Sequence, residues 1–183
     1  MLFVPPISDP HPFYIQFGTD TVVDITNSYK VVVKKHEYPL TLKAKEPYKN
    51  QWKDEHGDDE YIAPDGLKFE AFTFKMECAM FARALSEDSA ISQLNAGIRA
   101  FQWFLSSGMF KTFDTWTGWG FQEVRLQEFQ TPNEGDYQVW EEYEGGVNAN
   151  SKHGCSRVIF TVVLKVNDPA THMVLSNGSI VEG

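Results

Sequence analysis

Cysteine is scarce in this chain: Cys78 and Cys155 are the only two in 183 residues. That is too few for a disulfide framework. It leaves two reduced core or strand residues, or one bridge between two strands, as the readings. Basic charge is scarce as well, with 16 lysines and arginines against 25 acids and a formal net charge of −9. Phosphate contacts need clustered Lys and Arg, so the balance argues against nucleic-acid binding, sequence-specific or general. Lys30, Lys34 and Lys35 form the one basic cluster, and in a predicted strand they read as a solvated face. No apolar run reaches membrane-spanning length. The start of the chain carries Pro5, Pro6, Pro10 and Pro12, which deny it the helical core of a signal peptide. The expectation is a soluble protein made in a cytoplasm, with no membrane partner.

Catalytic and metal signatures are missing too. In "DEHGDDEYIAPDG" the residues Asp54, His56, Asp58 and Glu60 alternate, and Asp65 holds the twelfth place of an EF-hand-like count. The glycine, Gly57, is not sixth, the twelfth residue is not Glu, and no helix flanks the stretch, so it reads as a solvated acidic loop. His153 and Cys155 sit two apart beside a strand start, with no third group to orient a thiolate–imidazole pair. Glu141, Glu142 and Glu144 are neighbours on a strand, and adjacent strand residues point to opposite faces, so they do not make a glycosidase pair. The glycines follow neither a Walker nor a dinucleotide pattern. Asn177 opens a glycosylation sequon, which has no meaning without secretion. The chain is therefore expected not to be an enzyme, with no catalytic, cofactor-binding or metal residues and no cofactor.

What the chain does have is a globular balance, 42% hydrophobic and 22% charged, with an aromatic share of 14% that suits cores and interfaces alike. Residues 1–13 read as an extended, proline-rich arm. "YIQFG", "TVVDI" and the run centred on Val31, Val32 and Val33 read as strands, with Pro39 marking a bend or an edge. Between residues 45 and 66 the apolar pattern dissolves into a long loop rich in acids and punctuated by Tyr48, Trp52 and Tyr61. "LKFEAFTFKMECAMFA" alternates with period two, but its parity changes near Ala71–Phe72. A bulge there, or two abutting strands, would produce that change. Ser86 is a natural N-cap, and Ile91, Leu94, Ile98, Phe101 and Leu105 make one apolar stripe, which predicts an amphipathic helix over about 87–107. The strand around Val158, Phe160, Val162, Leu164 and Val166 is half-apolar on its second face too, and is expected to stop at Asn167-Asp168-Pro169. The order of elements predicts a mainly β, α+β fold: an antiparallel β-sandwich over residues 14–169 with one helix packed on it, and a short tail at 170–183.

This order resembles the N-terminal ring-forming domain of phage distal tail proteins, a relative of the tail-tube module. The likeness rests on "APDG", the long strand, the helix through "EDSAISQLNAGIRAFQWFLSSG", the strand "FQEVRLQEF" and a last strand "FTVVLKVNDP". It covers residues 31 to 169. The second, carbohydrate-binding-like sandwich of many such proteins has no counterpart in "ATHMVLSNGSIVEG", so host-sugar binding is not carried over. The resemblance implies a structural virion protein of the tail, assembled in the host cytoplasm. It would form a ring, hexameric in the usual case, that joins the tail tube to the baseplate or tip. Its partners would be copies of itself and other tail or baseplate proteins, met through sheet edges and extended segments. The expected interface residues are Pro5, Pro6, Pro10 and Phe13 of the arm, Tyr48, Trp52 and Tyr61 of the loop, and Trp116 and Trp119. The alternative is a monomeric β-sandwich that binds a glycan or peptide by stacking on Trp116 and Trp119.

Overall fold

The computed structural model describes residues 1–6, 11–39, 41–50, 59–62, 64, 66–143 and 152–183. Among the described residues the fold is mainly β with two α-helices. In chain order the elements are β1 (Leu2–Phe3), β2 (Phe13–Gln16), β3 (Val23–Asp24), α1 (Ile25–Tyr29), β4 (Val31–Glu37), β5 (Tyr48–Asn50), β6 (Asp59–Tyr61) and β7 (Phe72–Ala84). Then come α2 (Glu87–Leu105), β8 (Phe110–Asp114), β9 (Trp119–Gln130), β10 (Tyr137–Tyr143), β11 (Lys152–Ser176) and β12 (Ser179–Glu182). Ten strands join in one antiparallel sheet, and β5 and β6 make a second sheet of two.

The spine of the large sheet is β11, which is 25 residues long. Along one edge it pairs with β7 from Gly154 to Val166. It also pairs in turn with β10, β9 and β12 as it runs down the molecule. The strand does not stop at Asp168-Pro169 as its sequence suggests. Asp168 Oδ1 accepts from the Ala170 and Thr171 N–H groups, and Oδ2 accepts from Thr171 Oγ1 and from Gln122 Nε2. The register shifts between Asp168 and His172, and this irregularity absorbs the N–H that proline lacks. Pairing then resumes, so residues 170–183 are a hairpin of β11 with β12 and not a free tail.

The sheet continues from β11 through β9 and β8 to β2 and β3 on one side, and through β7 to β1 and β4 on the other. Its two ends are joined by the five residues of α1, so β3 and β4 must be neighbours and the sheet curls round on itself. The sandwich expected from sequence is thus one curled sheet. The strand expected at "TVVDI" is cut to Val23–Asp24, and from Ile25 the chain turns into α1. Asp24 caps a helical turn by accepting from the Thr26 and Asn27 N–H groups, and Lys30 closes that turn in the left-handed region at φ 58°. Inside the curl lie Phe13, Ile15, Phe74, Met76, Cys78, Val124, Val162 and Leu164, all buried.

Helix α2 covers the curl with the face formed by Ala90, Leu94, Ile98, Phe101 and Leu105. Ser86 Oγ accepts from the Ser89 N–H, and Glu87 and Asp88 lie at the positive end of the helix dipole, as the sequence predicts. At that end the helix start presses on β11. A Cβ built on Gly154 would stand 2.2 Å from the Glu87 nitrogen and from the Ser86 carbonyl carbon, so only glycine fits.

Candidate functional site

Residues 48–50 and 59–61 of the acidic excursion pair as strands where composition suggests a loop, and β4 explains why. Strands β4 and β7 pair from Val31↔Met80 to Glu37↔Lys75. Beyond them the Lys45 N–H donates to the Lys68 carbonyl and the Glu70 N–H to the Lys43 carbonyl, each at 2.8 Å, and Ala44 bridges Phe69. Further out Tyr48 pairs with Tyr61 and Asn50 with Asp59. The described residues of 31–50 and 59–84 are therefore the two legs of one long antiparallel hairpin. The parity change near Ala71–Phe72 marks the place where the body strand β7 begins and the outer ribbon ends. It comes from two abutting segments rather than from a bulge inside one strand.

The two halves of this hairpin live in different surroundings. In the body, β7 has β11 on its other side and α2 over its face. In the ribbon, β5 and β6 pair only with each other among the described residues. Tyr61 of β6 is 64% exposed, and Ile62 beside it and Leu42 and Leu67 in the flanking segments are exposed as well. Glu37 and Asn50 are thirteen residue steps apart, so at roughly 3.3 Å per step the leg spans at most about 40 Å.

A second feature lies at the seam of the curl. The outer edge of β4 carries no strand among the described residues. A cleft of about 420 Å³ runs beside it, lined by residues 32–36, by Asp24, Thr26 and Asn27, and by His11, Pro12 and Trp116. Trp116 is 60% exposed, and the His11 ring meets it edge-on at 4.4 Å. Behind the cleft a polar cluster holds the seam shut. Asp114 of β8 is fully buried. Its Oδ2 accepts from the Tyr38 hydroxyl at 2.9 Å and lies 3.0 Å from His36 Nδ1, an ion-pair distance without a well-aligned hydrogen bond. The Trp116 N–H donates to Oδ1 at 2.9 Å. Burial pushes the Asp114 carboxyl up, but the His36 imidazole, the Trp116 N–H and the Tyr38 hydroxyl outweigh it and hold the carboxyl below its ordinary range. Burial first, and the Asp114 charge second, push the Tyr38 hydroxyl far up, so Tyr38 stays a neutral donor. Unequal partners on one carboxylate fix where β4 sits against β8.

The residues expected at an interface scatter over this frame. Phe13 is a correction: it is fully buried in β2, 6.3 Å from the ring of Phe74, and belongs to the core. Its neighbour Pro12 set the arm boundary in sequence, but alternation with Ile15 puts Phe13 on the inner face. The arm itself lies on its own body. Leu2 and Phe3 pair with Ala82 and Phe81, the Arg83 N–H donates to the Met1 carbonyl, and the N-terminal amine donates to Gln93 and the Arg83 carbonyl. Pro5 is half-buried and Pro6 exposed in the link between β1 and β2, while Pro10 lies outside the described residues. Tyr48 is placed by its backbone in β5, Tyr61 stands exposed in β6, and Trp52 lies outside the described residues. Trp119 is exposed too, packed edge-on to Tyr38 at 5.1 Å, but of the two only Trp116 lines the cleft.

The two thiols do not form a bridge: both are buried and free, on partners five register positions apart along β7 and β11. Burial pushes the Cys78 thiol far up, and raises Cys155 against the opposing pull of the Arg83 guanidinium. Glu142 accepts from Trp140 Nε1 and pairs with Arg83, while Glu141 pairs with Lys152. Sequence reasoning missed the His36–Asp114–Tyr38 cluster. Tyr38 and Asp114 lie 76 positions apart, and only the curl brings them together. No family model, no curated protein and no solved structure matches this chain.

Proposed function

We propose that the chain is a structural subunit that closes into a homo-oligomeric ring, and that the ring is the tail component named by the resemblance. It would join a phage tail tube to its baseplate or tip. The observation that carries this reading is the outer ribbon: a two-stranded sheet, paired only with itself among the described residues, with Tyr61 exposed in it, Ile62 exposed beside it, and Leu42 and Leu67 exposed in the segments that lead to it. A two-stranded hairpin is marginal in water until a third strand or an apolar surface covers it. A sister copy supplies that cover. Contacts of one patch with a different patch on the next copy then run head to tail and close as a ring. No bond is made or broken in such a role. The ring size and the virion location rest on the resemblance, and the self-association rests on the ribbon.

Light scattering on the full chain after size exclusion, with electron microscopy of the same fractions, tests the proposal. The expected outcome is a closed ring of several subunits, which falls to monomer when the ribbon, residues 48–61, is replaced by a short glycine turn. A chain that stays monomeric at every concentration overturns it. One observation favours a second reading, a monomeric binding module: Trp116 stands exposed at the mouth of the cleft. A monomer that binds an oligosaccharide or peptide, and loses it on Trp116→Ala, would establish that reading instead.

A further inference from the structure

We infer that the outer face of β7 and β11 receives helix α2 of a second copy, with Trp103 of that helix against Phe81 and Ile159 and with Asp88 against Lys75 and Lys165. This rests on the ring reading and names a contact apart from the ribbon and from any sheet edge. Each chain leaves one sheet face and one helix face bare, on opposite sides of the same two layers. The inner face of the sheet carries Met80 and Phe160 and lies under α2. A Cβ on Gly97 would stand 2.7 Å from Met80 Sδ, and the Phe101 ring lies 6.3 Å from that of Phe160. Alternation turns Phe81, Ile159 and Thr161 the other way, where their neighbours in the sheet leave them half-buried. Among the described residues no α-helix other than α2 packs across these strands, and no second layer of strands does. The far face of α2 presents Asp88, Ser92, Ala96, Arg99, Ala100 and Trp103, all exposed, with Trp103 at 81%. Past its first turn Arg99 is the one charge on the helix, little for a face meant for water.

Charge favours the match. On the outer face β7 and β11 carry Lys75, Arg83, Arg157 and Lys165 against one acid, Glu77, on a chain whose net charge is −9. Arg83 pairs with Glu142, and Glu77 lies 3.6 Å from Lys34. Lys75, Arg157 and Lys165 have no carboxylate at ion-pair distance among the described residues. Lys165 also stands directly opposite Arg125 of β9, and like charges opposed across a ladder destabilise it. An acid brought from outside relieves that conflict, and the rest of the same chain is more acidic than the whole. Length favours the match as well. From Asp88 to Trp103 the helix advances about 22 Å at 1.5 Å per residue. From Lys165 to Ile159 the strand covers about 20 Å at 3.3 Å per residue. With Asp88 beside Lys165 and Lys75, Trp103 lands on Ile159 and Phe81, within reach of the Arg157 guanidinium. A chain cannot make this contact with itself, because its own α2 is packed on the inner face. Helix of one copy on sheet of the next is a head-to-tail contact, the kind that can close a ring.

The test is light scattering on the full chain and its variants. Trp103→Ala, and separately Lys75→Glu with Lys165→Glu, are expected to weaken self-association by roughly tenfold or more. The unfolding midpoints of these variants as monomers should match the parent. Trp103 and Lys75 are exposed, and Lys165→Glu turns the like-charge pair with Arg125 into an opposite one. A chain carrying Ala100→Cys, mixed under a mild oxidant with one carrying Thr161→Cys, should give disulfide-linked pairs with one chain of each kind. The native thiols, Cys78 and Cys155, are buried and do not compete. Rings that survive both the Trp103 and the lysine variants overturn this inference and leave the ring reading standing. It also falls, again without the ring reading, if rings form but the mixed disulfide does not, or if Ala100→Cys chains link to each other instead. A wild-type chain that never leaves the monomer overturns both.

Discussion

The inner and outer halves of the β4–β7 hairpin share one chain direction and one kind of pairing, yet they differ in everything that stabilises a sheet. The inner half is covered by β11 on one side and α2 above, and buries Phe74, Met76, Cys78 and Met80. The outer half has two strands and no third among the described residues, and leaves large apolar side chains in water. Backbone hydrogen bonds are the same in both. The difference lies in what covers them among the described residues.

Breaking the covered half should cost most. Phe101 of α2 is fully buried and meets Phe129 and Phe160, each at 6.3 Å. Phe101→Ala should lower the stability found by urea unfolding by about 3–5 kcal/mol. Gly154→Ala comes next, at about 3 kcal/mol, because backbone at the start of α2 blocks the new methyl and cannot swing away as a side chain could. An unchanged midpoint for Gly154→Ala would show that the helix start is free to shift.

The seam ranks third. Asp114→Asn should cost about 2 kcal/mol near neutral pH by removing the charge that the Tyr38 and Thr117 hydroxyls and the Trp116 N–H serve. Its sign with pH follows from the direction of the shift. The folded carboxyl titrates below its unfolded value of about 4, so its contribution is complete above that pH and is lost as pH falls through the folded value. The gap between wild type and Asp114→Asn should therefore close in acid. A gap that stays constant across acid titration would mean that the carboxylate is not the stabilising species. The smallest effect on stability belongs to the ribbon. Tyr61→Ser and Leu67→Ser should each change monomer unfolding by less than about 0.5 kcal/mol, while lowering the fraction assembled. If instead either change unfolds the monomer, the outer half is folded onto the body and the contrast between the halves disappears.

Much of the covered half was legible in sequence because its signals are local and periodic. The stripe Leu94, Ile98, Phe101 and Leu105, the Ser86 cap, and the alternation of Val158 to Val166 each appear in the structure as expected. The misreadings share one cause: each involved pairing between distant residues. Asp168-Pro169 looks like a terminus until Gln122 and Thr171 are seen holding a bend in a strand that carries on. Residues 48–50 and 59–61 look like loop because ribbon strands set apart from the core have no reason to alternate. Phe13 looks like part of an arm until its ring is found against Phe74.

The sequence by itself determined the mainly β composition, the single long helix and the face that helix buries, because hydrophobic period and capping chemistry act within a few residues of each other. Only the tertiary structure decided that the sheet curls, that His36, Tyr38 and Asp114 meet at its seam, and that one hairpin runs past the body. Those features depend on which strands become neighbours. That is settled by burying the whole apolar surface at once, and no short stretch of chain encodes it.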